Sequence, residues 1–215
     1  MTSRERSVID NFHNLYYAGP DGEGPIFGRT FWMNVPCLKC PLDLWIYQEI
    51  IFEARPELII ETGTHFGGSA LFLAHVLDII GRGEVVTIDT VEKPGRPVHP
   101  RIRYVEGSSI DPDLIGSILD GRPPAERRLL ILDSDHSKAH VLAELNLLAR
   151  RVNVGGYVIV EDTNINGHPA YPSFGDGPFE AVETFLRQSS DFALDRSKEK
   201  FLMTFNPCGY LKRIA

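Results

Sequence analysis

Three cysteines in 215 residues are too few for a disulfide framework. Cys37 and Cys40 form a lone C-x-x-C, with no second pair to complete a zinc knuckle. The next residue is Pro41 rather than the start of a redox helix, so both read as structural thiols of a reducing compartment. Basic residues are also scarce: 22 Lys and Arg against 29 Asp and Glu give a net charge of −7. A nucleic acid or an anionic membrane would have no basic footprint to meet. No apolar run reaches the length of a membrane span. The opening "MTSRERSVID" is polar and mixed in charge, unlike a secretory signal, which leads us to expect a cytoplasmic protein. Repeats and low-complexity tracts are missing too. Two catalytic signatures fail by one residue each. The turn "ETGTHFGGS" puts His65 where a dinucleotide-binding G-x-G-x-x-G needs its second glycine. His136 and His140 have the spacing of a helical zinc site, but no Glu stands beside the first as in H-E-x-x-H.

What is present is a strand–helix alternation long enough for one domain with a full core. Strands are expected at 57–62, 84–89, 101–107, 128–133 and 156–162, and helices at 68–80, 111–120, 137–152 and 178–189. Such units predict an α/β fold: a doubly wound, Rossmann-like and mostly parallel sheet covered by helices. The terminal stretches "FALD" and "KFLMTF" predict an antiparallel hairpin. Upstream, 41–54 is expected to be a helix packing on the sheet. Residues 1–40, rich in Gly, Pro and aromatics after residue 14, predict an irregular N-terminal arm or lid, with the catalytic domain at 41–215.

Chemistry gathers at the carboxyl ends of the strands, where such sheets bind ligands. The first strand runs into a Gly-rich turn that opens a helix, with Glu61, Gly63, Thr64, Gly67 and Ser69 as candidate cofactor residues. An acid before the first glycine repels a diphosphate and suits a ligand carrying an ammonium group. S-adenosylmethionine is such a ligand. Asp89, ending the second strand, is placed to accept from both ribose hydroxyls. Ser108 and Ser109, after the third, could hold the adenine edge. The fourth strand, "LLILDSDHSKAH", ends in Asp133, and the fifth, "GYVIVEDTN", in Glu161 and Asp162. Neighbouring strands would bring the three carboxylates together, and they would repel one another unless a cation sat among them. Oxygen ligands without thiolate favour Mg²⁺, with Mn²⁺ or Ca²⁺ as alternatives. His136, three residues after Asp133, would lie over the same cleft as a proton acceptor with an ordinary pKa near 6.5. Asp135 and His140 read as helix-start and helix-face residues. The loop 164–178 is the expected substrate loop, with His168 and Tyr171 as candidate contacts.

Taken together, "KCPLDLWIYQEII", "IIETGTHFGGSALF", "LDSDHSKAHVLAEL", "GGYVIVEDTNINGHP", "GPFEAVETFL" and "FLMTFNPCGYLKRI" resemble the cephalosporin hydroxylase family, which has the S-adenosylmethionine methyltransferase fold. The metal site is similar to that of magnesium-dependent macrolide sugar O-methyltransferases. The resemblance implies Asp133, Glu161 and Asp162 as metal ligands, His136 as base, and Glu61, Gly63, Gly67 and Asp89 at the cofactor. It implies a metal-dependent O-methyltransferase acting on a hydroxylated small molecule of secondary or antibiotic metabolism; separately, a homo-oligomer is expected. Two other readings remain: a hydroxylase or accessory component of cephamycin-type methoxylation, and a non-catalytic cofactor-binding module. The first lacks a two-histidine, one-carboxylate iron triad.

Overall fold

The apolar runs pair as parallel strands because both of their faces are covered. The structure, a computed structural model, describes residues 1–20 and 24–215; the arm's stretch 21–23 lies outside the described residues. Five strands, β3 (Leu58–Thr62), β4 (Glu84–Asp89), β5 (Ile102–Glu106), β6 (Arg128–Leu132) and β7 (Tyr157–Val160), join β8 (Phe192–Leu194) and β9 (Tyr210–Arg213) in one sheet. Its order is β5-β4-β3-β6-β7-β9-β8. The pairings from β5 to β7 are all parallel, and β9 is antiparallel to both β7 and β8. The chain moves outward from β3 in one direction through β4 and β5, then returns to its other side for β6 and β7. The strand order therefore reverses between β3 and β6, beside the ends of Thr62 and Leu132.

Alternate residues of each strand feed two cores. Ile60, Val86, Leu130 and Val158 meet Ile115 of α4 (Pro112–Leu119), Leu145 of α5 (Lys138–Leu148) and Phe185 of α6 (Pro178–Gln188). Ile59, Val85, Leu129 and Ile159 meet Ile50 of α2 (Pro41–Ala54) and Leu73 of α3 (Gly68–Ile80). Pro41 stands at the first position of α2, where its missing N–H costs nothing, so the C-x-x-C does precede a helix. Burial raises the thiols of Cys37 and Cys40 to about 12, which keeps them unreactive.

Two expectations need correction. The N-terminal arm is not irregular throughout, because Ser3–Ala18 forms helix α1. Its signal was the capping box of Thr2 and Glu5, each side chain bonded to the other's backbone N–H. Beyond it come a short 3₁₀ turn and the hairpin β1 (Phe31–Trp32) and β2 (Val35–Pro36). Met33 and Asn34 turn that hairpin with positive φ of 48° and 65°, the primed geometry that matches strand twist. At the other end, the partner of β8 is β9, not "KFLMTF". Residues 203–206 are buried against α2 instead. The Asp43 carboxylate accepts from Phe205 N–H (2.8 Å) and Thr204 Oγ1 (2.5 Å), and Asn206 Nδ2 donates to Tyr47 (2.8 Å). Side chains of α2 thus take the backbone and polar groups that a strand would have paired.

Candidate active site

The turn after β3 is shaped by backbone contact. Gly63 has φ +85°, and a side-chain carbon on it would lie 1.8 Å from the carbonyl oxygen of Asp133. Gly67 caps α3 in the left-handed region. A carbon on Gly68 would lie 2.2 Å from the carbonyl oxygen of Pro36, so the arm is built against the same turn. Asp89 gathers three donors: His65 N–H (2.8 Å), Val91 N–H (3.1 Å) and the Arg96 guanidinium (3.1 Å). Glu61 lies beneath the turn, fully buried, and accepts from Thr87 Oγ1 at 2.6 Å. Burial pushes its carboxyl up, opposed by the Lys39 ammonium. Thr64 joins the same buried pair through Thr87 (2.7 Å).

Asp133, Glu161 and Asp162 come together as the paired ends of β6 and β7 imply. The chain itself supplies two cations among them. Lys39, 4% exposed, bonds Asp133 Oδ2 and lies 2.7 Å from Glu161 Oε1. His136 Nε2 lies 3.2 Å from Asp133 Oδ1 and 3.1 Å from Asp162 Oδ2. Burial alone would lower the His136 pKa, but its bonds to Asp133 and Asp162 outweigh that and hold it well above the ordinary value. The expectation of an unperturbed imidazole is corrected accordingly: between two carboxylates it keeps its proton. Burial likewise opposes the Lys39 charge, and Asp133, Glu161 and Glu61 more than restore it. Burial and the adjacent Asp133 push Glu161 up, against the pull of Lys39.

One cavity of about 570 Å³ joins both ends, within the range of small-molecule sites. Gly63, His65, Asp89, Gly107 and Ser109 line one part of it, and Asp133, His136 and Asp162 another. A crevice beside it is lined by Thr64, Gly68, Ser69 and Asp133. Glu61, Gly67, Ser108 and Glu161 are not on the main cavity wall. Neither are His168, stacked on Phe179 and 2.9 Å from Glu180, and Tyr171, which is half exposed. Asp135 accepts from Ser137 N–H at the start of α5, as expected, and also lines the cavity. His140 lines it too, 3.1 Å from Ser109 Oγ. Phe27 and Leu38 reach the cavity from the arm. Lys39 and Arg96 went unnoticed in the sequence, because a single basic residue in a loop carries no periodic or motif signal.

The donor set can be tested against a metal. Asp133, His136 and Asp162 each offer a ligand atom, all within 4.8 Å of one another. The Asp133 and Asp162 oxygens suit a hard divalent ion, with His136 Nε2 facing the same oxygens, and the set differs from the two-histidine iron triad. Among the described residues, no helix is long and apolar enough to cross a membrane.

A family model described as rhamnosyl O-methyltransferase/CmcI matches residues 26–214. The rhamnosyl O-methyltransferase of Mycobacterium leprae (strain TN) is 41% identical over 214 residues, covering 96% of this chain and 91% of that protein. Its counterpart in Mycobacterium tuberculosis (strain ATCC 25618 / H37Rv) is 40% identical, covering 96% and 85%. A solved structure of CmcI with Mg and SAM aligns with a TM-score of 0.68 at 21% identity, over 92% of this chain and 82% of that one. That last likeness concerns the fold alone.

Proposed function

The chain belongs to the rhamnosyl O-methyltransferase/CmcI family, and from that premise we propose that it methylates a hydroxyl of a sugar, of the rhamnosyl class, on a small-molecule acceptor. It is an S-adenosylmethionine-dependent methyltransferase, and the acceptor and site roles are our reading. The observation that carries this reading is the single cavity that Asp89 and Ser109 share with Asp133, His136 and Asp162. S-adenosylmethionine supplies an electrophilic methyl group, and Mg²⁺, with Mn²⁺ or Ca²⁺ as alternatives, makes a nearby hydroxyl easier to deprotonate.

Asp89 and the backbone around Gly63 would hold the cofactor's ribose and amino acid ends, with Ser109 towards the base. Asp133 and Asp162 would hold the metal through the oxygens that now face His136. A metal on those oxygens would displace the proton that His136 holds between them, and the freed Nε2 would then accept the acceptor's proton. Phe27 and Leu38 from the arm would exclude water over the cavity, whereas His168 and Tyr171, expected at the substrate, lie off its wall. Positioning of the two reactants then contributes most of the acceleration. A homo-oligomer working in the cytoplasm, apart from nucleic acid and membranes, belongs to the same proposal; the net charge of −7 supports the latter part.

The test is a methyl-transfer assay with p-nitrophenyl rhamnoside, read by mass spectrometry. A product heavier by one methyl group is expected, lost in EDTA and restored by Mg²⁺. Full turnover in EDTA, or no binding of S-adenosylhomocysteine by calorimetry, would overturn the reading.

A further inference from the structure

Lys39 enters the acid cluster from outside the sheet. It lies in the arm, one residue before Cys40, which caps α2. Its stem lines an apolar groove with Cys37, Leu44 and Phe72, while its ammonium ends between two strand ends. Lysine is among the residues least often buried unless paired, and here its head is paired twice. The pairing is selective. Lys39 takes Oδ2 of Asp133 and Oε1 of Glu161, while Oδ1 of Asp133 faces His136 with Oδ2 of Asp162.

Charge explains why a second cation belongs there. Asp133, Glu161 and Asp162 can carry three negative charges, and a divalent ion brings two positive ones. A partly dry pocket tolerates the remaining charge poorly. We infer that Lys39 is the resident counter-cation of the metal site: it balances the charge a divalent ion leaves over, and it turns one oxygen of Asp133 inward so that the other faces the cavity. This rests on the metal dependence proposed above. Lys39 is thus a positioning residue that touches neither acceptor nor methyl group, and it keeps divalent-ion affinity below what three bare carboxylates would give.

The experiment compares wild type, Lys39→Met, Lys39→Arg and the double variant Lys39→Met/Glu161→Gln, all without cofactor. Mg²⁺ affinity is measured by calorimetry, and melting is followed in EDTA and in excess Mg²⁺. Lys39→Met should bind Mg²⁺ at least about tenfold more tightly, since one opposing charge beside the ion is gone. In EDTA it should melt roughly 10 °C lower, because a buried carboxylate has lost its partner, and Mg²⁺ should recover most of that loss. Lys39→Arg should stay near wild type in both measurements. Should Lys39→Met fail to fold, the double variant decides, as its site carries the wild-type net charge. A folded double variant with Mg²⁺ affinity within about threefold of wild type supports the inference, and one as insoluble as the single variant overturns it. Unchanged or weaker Mg²⁺ binding by a folded Lys39→Met, or a melting loss equal with and without Mg²⁺, would also overturn it. Wild type that binds no Mg²⁺ would instead defeat the metal reading itself.

Discussion

At the scale of single residues, His136 carries the sharpest demand. Its Nε2 is within 3.2 Å of oxygens from two acids, so without metal it is held as an imidazolium. A divalent ion on the same oxygens competes with that proton, as metal binding to a protonated site generally does. Replacing the imidazole should leave S-adenosylhomocysteine affinity unchanged, because Asp89 and Ser109 lie at the other part of the cavity. His136→Ala should lower kcat by roughly 10²–10⁴-fold, the usual worth of a general base. Steady-state kinetics at saturating Mg²⁺ would check this, and an unchanged kcat would leave His136 a structural role only. His136 and its acids were legible because strand ends and a three-residue spacing mark them. Lys39 was not, since what makes it special is a contact across 94 positions of sequence.

The element that departs most from expectation is α1. It docks through His13, which is 3% exposed, stacks on Phe205 and accepts from Asn164 Nδ2 at 2.8 Å. Burial lowers the His13 pKa to about 4, with Asp10 and Asp162 opposing in part. The unfolded chain takes up this proton near pH 6.5 and the folded chain only near 4. Between those values the unfolded state binds more protons, so stability is whole above pH 6.5 and falls as pH drops towards 4. The full loss is at most about 3 kcal/mol, at 1.36 kcal/mol per pH unit. Urea unfolding of His13→Gln should therefore show a flatter decline from pH 7 to 4.5 than wild type. Parallel declines would mean that His13 titrates normally when folded. The helices α5 and α6 followed from apolar spacing, but α1 has an exposed apolar stripe of Val8, Phe12 and Leu15. Its face towards the protein is aromatic and polar, so the usual pattern of a buried apolar stripe was absent.

Across the whole molecule, the parallel sheet, its switch point and the neighbouring acid-bearing strands could all be read from apolar runs that end in polar residues. The division at residues 40 and 41 was less informative. Phe27 and Leu38 line the cavity and Lys39 pairs with Asp133 from the amino-terminal side of that boundary, so the cavity is built from both sides of it. Deleting only residues 1–18 tests how far the dependence extends. That variant should retain the sheet by circular dichroism and bind S-adenosylhomocysteine, since α1 contributes nothing to the cavity wall. It should melt several degrees lower, because Phe205 loses its contacts with His13, Tyr16 and Tyr17. Lost cofactor binding with the sheet intact would show that α1 acts on the site directly.

Gly63 has a mechanical meaning as well. With no side chain between them, the cofactor turn and the end of β6 touch backbone to backbone, and Asp133 N–H bonds the Thr62 carbonyl at 3.1 Å. The floor of the cavity therefore has no joint. Under the proposed reaction, methyl donor and acceptor would meet at a separation set when the sheet folds, beneath the cover that Phe27 and Leu38 of the arm supply.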